Sequence, residues 1–421
     1  MSMSIFKDKP TIAVIGLGYV GLPLIAASAK SFNSIGYDID KTRVTNLNNY
    51  TDTSGEIDSE TLKNINKNII YTTEPETIKD ADIVIVTVPT PVDINNRPDY
   101  SHLIETSKVI GKYISKNSIV VYESTVNPGA TTEVCIPEIE KVSGLKRNVD
   151  FFYGYSPERY NPGKDTTPYQ DIDKLVASDV ELVEEYLFKI YSKIIKAKVH
   201  KAGGIKIAEA AKILENTQRD VNIALMNEFY KYCYRERIST SKVLEAAGTK
   251  WNFLNFQFGL VGGHCIGVDS YYLINRAEKL DCETPLIKTA RLVNSSMPNF
   301  WADIISKEIN VKSRILILGI TFKENCSDTR NSGALTLGKL LSEKNHDVSY
   351  CDPCVNLEQV DYISMDDVPQ HSFDAVILAV KHKEFLALKR NMIESALKKH
   401  GLFFDLKEAF QDTLINTKTG D

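Results

Sequence analysis

Short apolar runs rich in β-branched residues alternate with helix-compatible stretches over the first part of the chain. In order, the apolar runs and the helical stretches between them are 11–15, 22–30, 34–37, 81–88, 100–114 and 118–122. Alternation of buried strands with helices is typical of a doubly wound parallel sheet. The pattern therefore predicts an N-terminal α/β domain, which we place at residues 1–200.

The pattern changes after residue 200. Residues 204–237 contain apolar or small positions at helical spacing, with no proline and no glycine after the start, and they predict one long helix. Further helical pattern completes a central domain at 201–307. A second alternation of strands and helices, beginning at 314–318, predicts a Rossmann-like domain at 308–421. The predicted fold class is thus α/β, with two Rossmann-like doubly wound domains joined by a central helical domain.

Charge and length exclude several function classes. The 421 residues include 50 Lys and Arg against 55 Asp and Glu, a formal charge of −5, which provides no basic field for nucleic acid. No segment approaches the roughly 20 apolar residues that span a bilayer, and the N-terminus lacks the apolar stretch of a signal peptide. We therefore expect a cytoplasmic protein that binds neither nucleic acid nor membrane.

Seven cysteines are scattered along the chain. An odd number at wide spacing favours reduced thiols over a disulfide framework. Cys351 and Cys354 have C-x-x-C spacing, but no second pair exists to complete a zinc site. We therefore predict no metal.

A glycine motif follows the first apolar run. Gly16, Gly18 and Gly21 form G-x-G-x-x-G between a predicted strand and a predicted helix, the context in which such a turn holds a pyrophosphate. Asp38 stands 20 residues after Gly18 at a predicted strand end, where a carboxylate bonds a ribose 2′-hydroxyl and repels a 2′-phosphate. The motif predicts NAD binding in preference to NADP.

A second glycine-rich segment, 259–269, encloses Cys265 among four glycines. A cysteine among Ile and Val is most often a buried small hydrophobe, so this segment is ambiguous by itself. On the long helix, Lys212, Asn216 and Arg219 follow i, i+4, i+7 spacing and share one face. Such a face is either a solvated stripe or the floor of an anion site.

Taken together, seven ordered motifs resemble the UDP-glucose/GDP-mannose dehydrogenase family. They are Gly-Leu-Gly-Tyr-Val-Gly-Leu-Pro (16–23), Val-Pro-Thr-Pro (88–91), Glu-Ser-Thr-Val (123–126), Ser-Pro-Glu-Arg (156–159), Lys-Ile-Leu-Glu-Asn-Thr (212–217), Gly-Gly-His-Cys-Ile-Gly-Val-Asp (262–269) and Gly-Ile-Thr-Phe-Lys-Glu-Asn (319–325) with Asp328 and Arg330. The similarity is greatest to the branch that oxidises UDP-N-acetylhexosamines. It implies an NAD domain, a central dimerisation domain, a UDP-binding domain and a two-step oxidation of the sugar C6 alcohol to a carboxylate for surface polysaccharide precursors.

The chemistry of such a reaction needs a nucleophile, because a second hydride can leave only from a tetrahedral adduct of the aldehyde. A thiolate at Cys265 would form the thiohemiacetal and then a thioester. Lys212 and Asn216 can hold the developing oxyanion, and Asp269 or Glu158 can orient the hydrolytic water.

The resemblance also implies ligand contacts. Those for NAD, beyond the glycine turn, are Tyr19, Val20, Asp38, Arg43, Thr90, Thr125 and Arg330, with Thr125 also placed in the catalytic set. Those for the UDP-sugar are Arg159, Tyr160, Lys212, Asn216, Arg219, Gly262, Phe322, Lys323 and Lys407. The apolar positions of the long helix wrap around more than one face, which predicts a homodimer through that helix.

Two departures from the glucose branch bear on the sugar. An acidic residue usual in UDP-glucose members is Pro162 here, and Gly267-Val268 replaces their Pro-Lys. We therefore expect UDP-N-acetylglucosamine, with UDP-glucose, UDP-N-acetylmannosamine and UDP-N-acetylgalactosamine as alternatives. A two-electron dehydrogenase of the 3-hydroxyacid type and a non-enzymatic NAD-binding protein are further alternatives, since neither needs the thiol.

Overall fold

A computed structural model describes residues 5–160, 167–355, 357–388, 393–410 and 417–418. The chain divides into two compact units. Unit 1 comprises Met1–Glu215 and Tyr271–Asp281, and unit 2 comprises Asn216–Ser270 and Cys282–Asp421.

Unit 1 is built on a six-stranded parallel sheet. Its strands are β1 (Ile12–Ile15), β2 (Ser34–Tyr37), β3 (Ile69–Thr72), β4 (Ile83–Val86), β5 (Ile119–Tyr122) and β6 (Phe152–Tyr155). The strand order β3-β2-β1-β4-β5-β6 is that of a Rossmann fold. The order changes direction between β1 and β4, so a ligand crevice is expected at the carboxyl ends of these strands.

Alternate residues of these strands face two separate apolar cores. Val14 and Ile85 belong to one core, whereas Ala13 and Val84 belong to the other, and all four are fully buried. A strand that is buried on both faces reads as a continuous apolar run, which is why the sequence pattern located these strands.

Helices and a small parallel sheet complete unit 1. The helices are α1 (Gly21–Ser28), α2 (Lys41–Asn48), α3 (Ser59–Ile65), α4 (Ser101–Tyr113), α5 (Ile136–Ser143) and α6 (Glu181–Ile194), and the small sheet pairs β7 (Lys174–Val176) with β8 (Val199–Lys201). The long helix α7 (Ile205–Glu236) follows, and the division between the units falls inside it.

Unit 2 contains the second sheet, in the order β10-β9-β11-β12-β13. Its strands are β9 (Arg314–Leu318), β10 (Asp347–Cys351), β11 (Phe373–Leu378), β12 (Leu397–Asp405) and β13 (Thr417–Lys418), all parallel except the β12–β13 pair. The remaining helices are α8 (Thr240–Gly248), α9 (Ile266–Glu278), α10 (Pro285–Glu308), α11 (Gly333–Glu343) and α12 (Lys383–Ala387). The last residues of α9 return to unit 1.

The predicted fold class is confirmed: in chain order, a parallel sheet comes first, a helical segment with one long helix follows, and a second, mainly parallel sheet comes last. The long helix is found within one residue of its predicted ends, at Ile205–Glu236. The bounds 1–200, 201–307 and 308–421 stay predictions. Within the described ranges, every helix is too short or too polar to cross a membrane.

Candidate functional site

The first strand of unit 1 ends in a glycine turn that leads into α1. Gly16 has φ +91°, a backbone conformation that favours glycine. A Cβ atom on Gly21 would lie 1.8 Å from the Gly16 carbonyl oxygen, so the turn packs tightly against the start of the helix. A Cβ atom on Gly18 would meet no described atom within 4 Å. The turn therefore leaves open space beside the helix N-terminus, and these residues fit a dinucleotide pyrophosphate.

Asp38 and Arg43 fasten this turn from the neighbouring strand and helix. Asp38 follows β2, and its carboxylate accepts the Leu17 N–H at 2.7 Å and the Asp40 N–H at 2.9 Å. Arg43 donates to the Leu17 carbonyl oxygen at 2.7 Å and to the Asp52 carboxylate at 2.6 Å. Both residues thus support the turn, and their direct contacts with NAD stay predictions.

The other predicted NAD residues of unit 1 lie at the same edge of the sheet. Val20 stands at the N-cap of α1 and provides no side-chain cap, and Tyr19 precedes it. Thr90 follows β4 and is buried, and Thr125 follows β5 and is half-buried. Because the carboxyl ends of parallel strands meet at one edge, the fold places these residues around the predicted crevice.

The segment after β6 carries Glu158, Arg159 and Tyr160. The Arg159 guanidinium pairs with the Glu215 carboxylate on α7, and the Tyr160 hydroxyl donates to Glu56. The Glu158 carboxylate accepts the Tyr160 N–H. Arg159 is therefore already held by a carboxylate, and the substrate contacts predicted for Arg159 and Tyr160 stay predictions.

Cys265 stands immediately before α9 in unit 2 and is exposed. Its carbonyl oxygen accepts the N–H groups of Val268 at 3.0 Å and Asp269 at 2.8 Å, so the cysteine occupies the start of the helix, where negative charge is favoured. Asp269 is buried, and it accepts a hydrogen bond from the Asn216 amide at 2.5 Å. Unit 2 thus brings together Cys265, Asp269 and Asn216 of the predicted catalytic set.

The helix predicted to carry Lys212, Asn216 and Arg219 is confirmed. All three residues lie on the continuous helix α7, so their i, i+4, i+7 spacing puts them on one face. Lys212 is buried and belongs to unit 1, whereas Asn216 and the exposed Arg219 belong to unit 2. The predicted catalytic residues Glu158 and Thr125 belong to unit 1.

Lys407 lies against the start of the cysteine segment in unit 2. A Cβ atom on Gly259 would lie 2.3 Å from the Lys407 Nζ, so glycine makes room for the ammonium group. The Asn227 amide fixes that glycine by accepting its N–H at 2.8 Å and donating to its carbonyl at 3.0 Å. Burial lowers the pKa of Lys407. A cation held in this way suits an anionic ligand such as a phosphate.

The middle of the cysteine segment packs on the loop that follows β9. A Cβ atom on Gly262 would lie 2.6 Å from the Asn331 carbonyl oxygen, and one on Gly263 would lie 2.7 Å from the Phe322 ring. The Gly263 N–H donates to the Arg330 carbonyl oxygen at 3.1 Å. The predicted substrate residues Gly262 and Phe322 are therefore neighbours, and the NAD contact of Arg330 stays a prediction.

Two buried residues that the sequence did not reveal hold the loop carrying Phe322 and Lys323. The His382 Nδ1 accepts the Asn325 N–H at 3.0 Å, and its Nε2 lies 3.1 Å from the Asp352 carboxylate. Asp352 also accepts a backbone N–H at 2.7 Å near the start of the loop. A single histidine between two lysines gives no sequence signal for this support.

A buried ion pair behind α9 also escaped prediction. The Arg291 guanidinium lies 2.9 Å from an Asp220 carboxylate oxygen, and the side chains of Asp220 and Arg291 are 0% and 5% exposed. Arg291 donates to the Ile266 carbonyl at 3.1 Å, and Ser270 donates to Asp220 at 3.0 Å. Ile266 and Ser270 both belong to the first turns of α9. The ion pair therefore fixes the start of the helix that follows Cys265.

Comparison with known sequences and structures identifies the family. Sequence models of the UDP-glucose/GDP-mannose dehydrogenase family match three parts of the chain: the NAD binding domain at 10–195, the central domain at 206–296 and the UDP binding domain at 316–412. The chain belongs to this family. It is therefore an NAD-dependent UDP-sugar dehydrogenase, an oxidoreductase whose cofactor is NAD.

Several members of the family match nearly the whole chain. Protein CapL of Staphylococcus aureus is 42% identical over 415 residues, 96% of this chain and 97% of the relative. The UDP-N-acetyl-D-glucosamine 6-dehydrogenase of Salmonella typhi is 42% identical over 410 residues, 95% of this chain and 96% of the relative. The solved structure of the UDP-D-ManNAc dehydrogenase of Pyrococcus horikoshii superposes with a TM-score of 0.86 at 29% identity, covering 96% of each chain.

Proposed function

We propose that the chain oxidises the C6 hydroxyl of UDP-N-acetylglucosamine to a carboxylate with two NAD per sugar. Cys265 supports a four-electron reaction most directly, because it is an exposed thiol at a helix start, four residues before an Asp269 that is bonded to Asn216. A two-electron dehydrogenase of the 3-hydroxyacid type has no use for such a nucleophile. The name of the Salmonella typhi relative supports the choice of sugar.

The cofactor site proposed here lies at the carboxyl edge of the first sheet. The backbone of the glycine turn 16–21 would hold the pyrophosphate, and Asp38 would face the adenosine ribose. Thr90 and Thr125 would border the nicotinamide side of the crevice. Each NAD, when bound, supplies the acceptor for one of the two hydrides that leave the sugar carbon. The Asp38 carboxylate disfavours NADP, whose 2′-phosphate would stand beside a like charge.

The cysteine performs the covalent part of the proposed reaction. The Cys265 Sγ adds to C6 of the intermediate aldehyde, and the resulting thiohemiacetal becomes a thioester when its hydride leaves. Lys212 and Asn216 stabilise the oxyanion on C6 by charge and hydrogen bonding. Water then breaks the C–S bond, which releases the acid and restores the thiol, with Asp269 or Glu158 orienting that water. One water oxygen enters and four electrons leave as two hydrides.

We expect the highest kcat/KM with UDP-N-acetylglucosamine when it is compared in one buffer with UDP-glucose, UDP-N-acetylgalactosamine and UDP-N-acetylmannosamine. NADH absorbance should report two NADH per sugar and trapping should recover no free aldehyde. The expected preference among the sugars depends on the acetamido group at C2, which needs space and a polar partner in the site. Pro162, which suggests such space, lies outside the described residues. A preference for UDP-glucose would contradict the proposed substrate, and one NADH per sugar would contradict the covalent route.

We propose further that the chain forms a homodimer through α7. Four large apolar side chains on this helix are more than half exposed: Ile207, Leu214, Leu225 and Tyr232. They are 7, 11 and 7 residues apart, which is close to two, three and two full helical turns. The four side chains therefore project from the same side of α7 and form one stripe along it. Exposed apolar stripes of this length mark association surfaces.

The dimer is tested by placing charges on that stripe. Replacing Leu225 with Lys should weaken the dimer by roughly 10-fold or more, because burying one leucine contributes about 1.5–3 kcal/mol. Light scattering across micromolar concentrations measures the change. Leu280→Lys, which alters an exposed leucine beyond α7, serves as the control and should leave the mass unchanged. A monomeric wild-type protein would contradict the proposal.

The product of this reaction is a UDP-sugar that carries a carboxylate. We propose that it serves as a precursor of an acidic surface polysaccharide and is made in the cytoplasm, since the UDP group keeps the sugar activated for transfer.

A further inference from the structure

A buried histidine in unit 2 lies between a thiol and a carboxylate. The Cys354 Sγ lies 3.5 Å from the His382 Nδ1, and an Asp352 carboxylate oxygen lies 3.1 Å from the His382 Nε2. The side chains of His382 and Asp352 are fully buried, whereas Cys354 is half-buried. Over the part of the chain that the structure describes, these three residues form a group whose possible ligand atoms all lie within 4.8 Å of one another.

The distance between the sulfur and the nitrogen matches that of a zinc centre. Zinc binds thiolate sulfur at about 2.3 Å and imidazole nitrogen at about 2.0–2.1 Å, and a tetrahedral angle between these bonds puts the two atoms about 3.5 Å apart. The Sγ and Nδ1 atoms stand at that separation, so an ion can bridge them with little movement of either side chain. A small shift of the Asp352 carboxylate supplies a third ligand, and the half-buried thiol leaves a side where water can be the fourth.

The three ligand types favour one class of ion. Thiolate and imidazole select zinc over magnesium and calcium, which prefer oxygen ligands. Cys351, the other member of the C-x-x-C pair, lies in β10 and packs in the apolar core, so the pair itself does not form the site. The expectation of no metal rested on the lack of a second cysteine pair. Here the remaining ligands come from an aspartate beside the pair and from a histidine that is distant in sequence.

We propose that Asp352, Cys354 and His382 form a binding site for Zn²⁺, and that the bound ion weakens the binding of the UDP-sugar. On binding, the Cys354 thiol gives up its proton to solvent and its sulfur joins the ion, which also takes the lone pair of the His382 Nδ1. No electron is transferred. The site itself does not depend on the proposed function, but its effect on the UDP-sugar rests on that function.

The effect follows from what His382 and Asp352 hold in place. The His382 Nδ1 accepts the Asn325 N–H at 3.0 Å, and Asp352 accepts a backbone N–H near the start of the same loop at 2.7 Å. Asn325 has φ +55°, a left-handed conformation that is uncommon for a residue other than glycine. An ion on the Nδ1 removes the acceptor of the Asn325 N–H. The loop that carries the predicted substrate residues Phe322 and Lys323 therefore loses its support at both ends.

Cobalt(II) is the probe for the site, because it adopts the tetrahedral geometry of zinc and a thiolate ligand gives it a charge-transfer absorption band. The protein tested is untagged Cys265→Ala, which lacks the proposed catalytic thiol. We expect one Co²⁺ per chain with such a band, and Zn²⁺ should displace it. Adding Cys354→Ala should weaken Co²⁺ binding by about 100-fold or more, since outer-shell partners alone are worth about 10–100-fold. Adding Cys282→Ala instead removes an exposed thiol just beyond α9 and should leave the band unchanged.

Calorimetry of UDP-N-acetylglucosamine binding to the same Cys265→Ala protein measures the coupling. One equivalent of Zn²⁺ should weaken this binding by about 5-fold or more, the lower end of ordinary coupling between two sites. The reciprocal effect is expected as well, so saturating UDP-sugar should weaken Zn²⁺ binding by the same factor. In the variant that also carries Cys354→Ala, Zn²⁺ should leave the affinity for the sugar unchanged.

The outcomes separate the site, the coupling and the proposed function. A cobalt band that persists in Cys354→Ala would overturn the site, and Cys354→Ser serves the same test if circular dichroism shows that the alanine variant does not fold. Zn²⁺ that binds through Cys354 without changing the affinity for the sugar would overturn the coupling. Wild-type protein that produces no NADH from UDP-N-acetylglucosamine in the absence of metal would overturn the proposed function, whereas the cobalt result would stand.

Discussion

Replacing Cys265 by alanine is expected to reduce acid formation by about 10³-fold or more and to leave at most one NADH per sugar. The variant lacks the atom that retains the aldehyde carbon, so the second hydride has no tetrahedral adduct from which to leave. NADH absorbance and product analysis by mass spectrometry measure the two effects. NAD affinity should remain within about twofold, because the proposed cofactor site is formed by the glycine turn and the first sheet.

Cys282 provides a matched control for this experiment. It is the other exposed thiol among the described residues, and it lies just beyond α9. Cys282→Ala should therefore keep full activity and still yield two NADH per sugar. Retained acid production in Cys265→Ala would place the nucleophile elsewhere in the chain.

Much of the fold follows from the sequence because its strands are buried on both faces. The apolar runs of β1, β4 and β5 are continuous and could be located directly. Strand β3 alternates buried and exposed positions at the edge of the sheet, and its pattern is correspondingly weak. Strand β6 contains Gly154, whose missing side chain gives room to Leu187 and Ala177. Glycine disfavours strands in general, so close packing overrode propensity at this position.

The site was predictable where chemistry and spacing coincide. Gly16, Gly18 and Gly21 have distinct roles that the turn demands, and Cys265 stands at a helix start that its glycine-rich neighbours permit. The supporting charges were not predictable. Lys174 and Glu123 are distant in sequence and meet only because β5 and β7 bring them together. A lone charged residue next to an apolar strand is the only signal the sequence offers for such a pair.

The glycine turn should respond to two alanine substitutions in opposite ways. In Gly21→Ala the new Cβ would lie 1.8 Å from the Gly16 carbonyl oxygen, so the turn or α1 must shift. We expect the free energy of unfolding to fall by about 2 kcal/mol or more, as overpacking usually costs 1–3 kcal/mol. Chemical denaturation followed by circular dichroism measures this loss.

In Gly18→Ala the new Cβ meets open space, so the free energy of unfolding should change by no more than about 1 kcal/mol. That space is where the backbone must approach the pyrophosphate, and we expect NAD to bind about 10-fold more weakly or worse. Gly248→Ala, with equally open surroundings at the end of α8, is the control and should alter neither property. Unchanged NAD affinity in Gly18→Ala would mean that the cofactor does not lie on this turn. If Gly21→Ala instead has normal stability but no longer binds NAD, the turn can shift to accommodate the added methyl group. The close packing at Gly21 would then be needed for NAD binding more than for the stability of the fold.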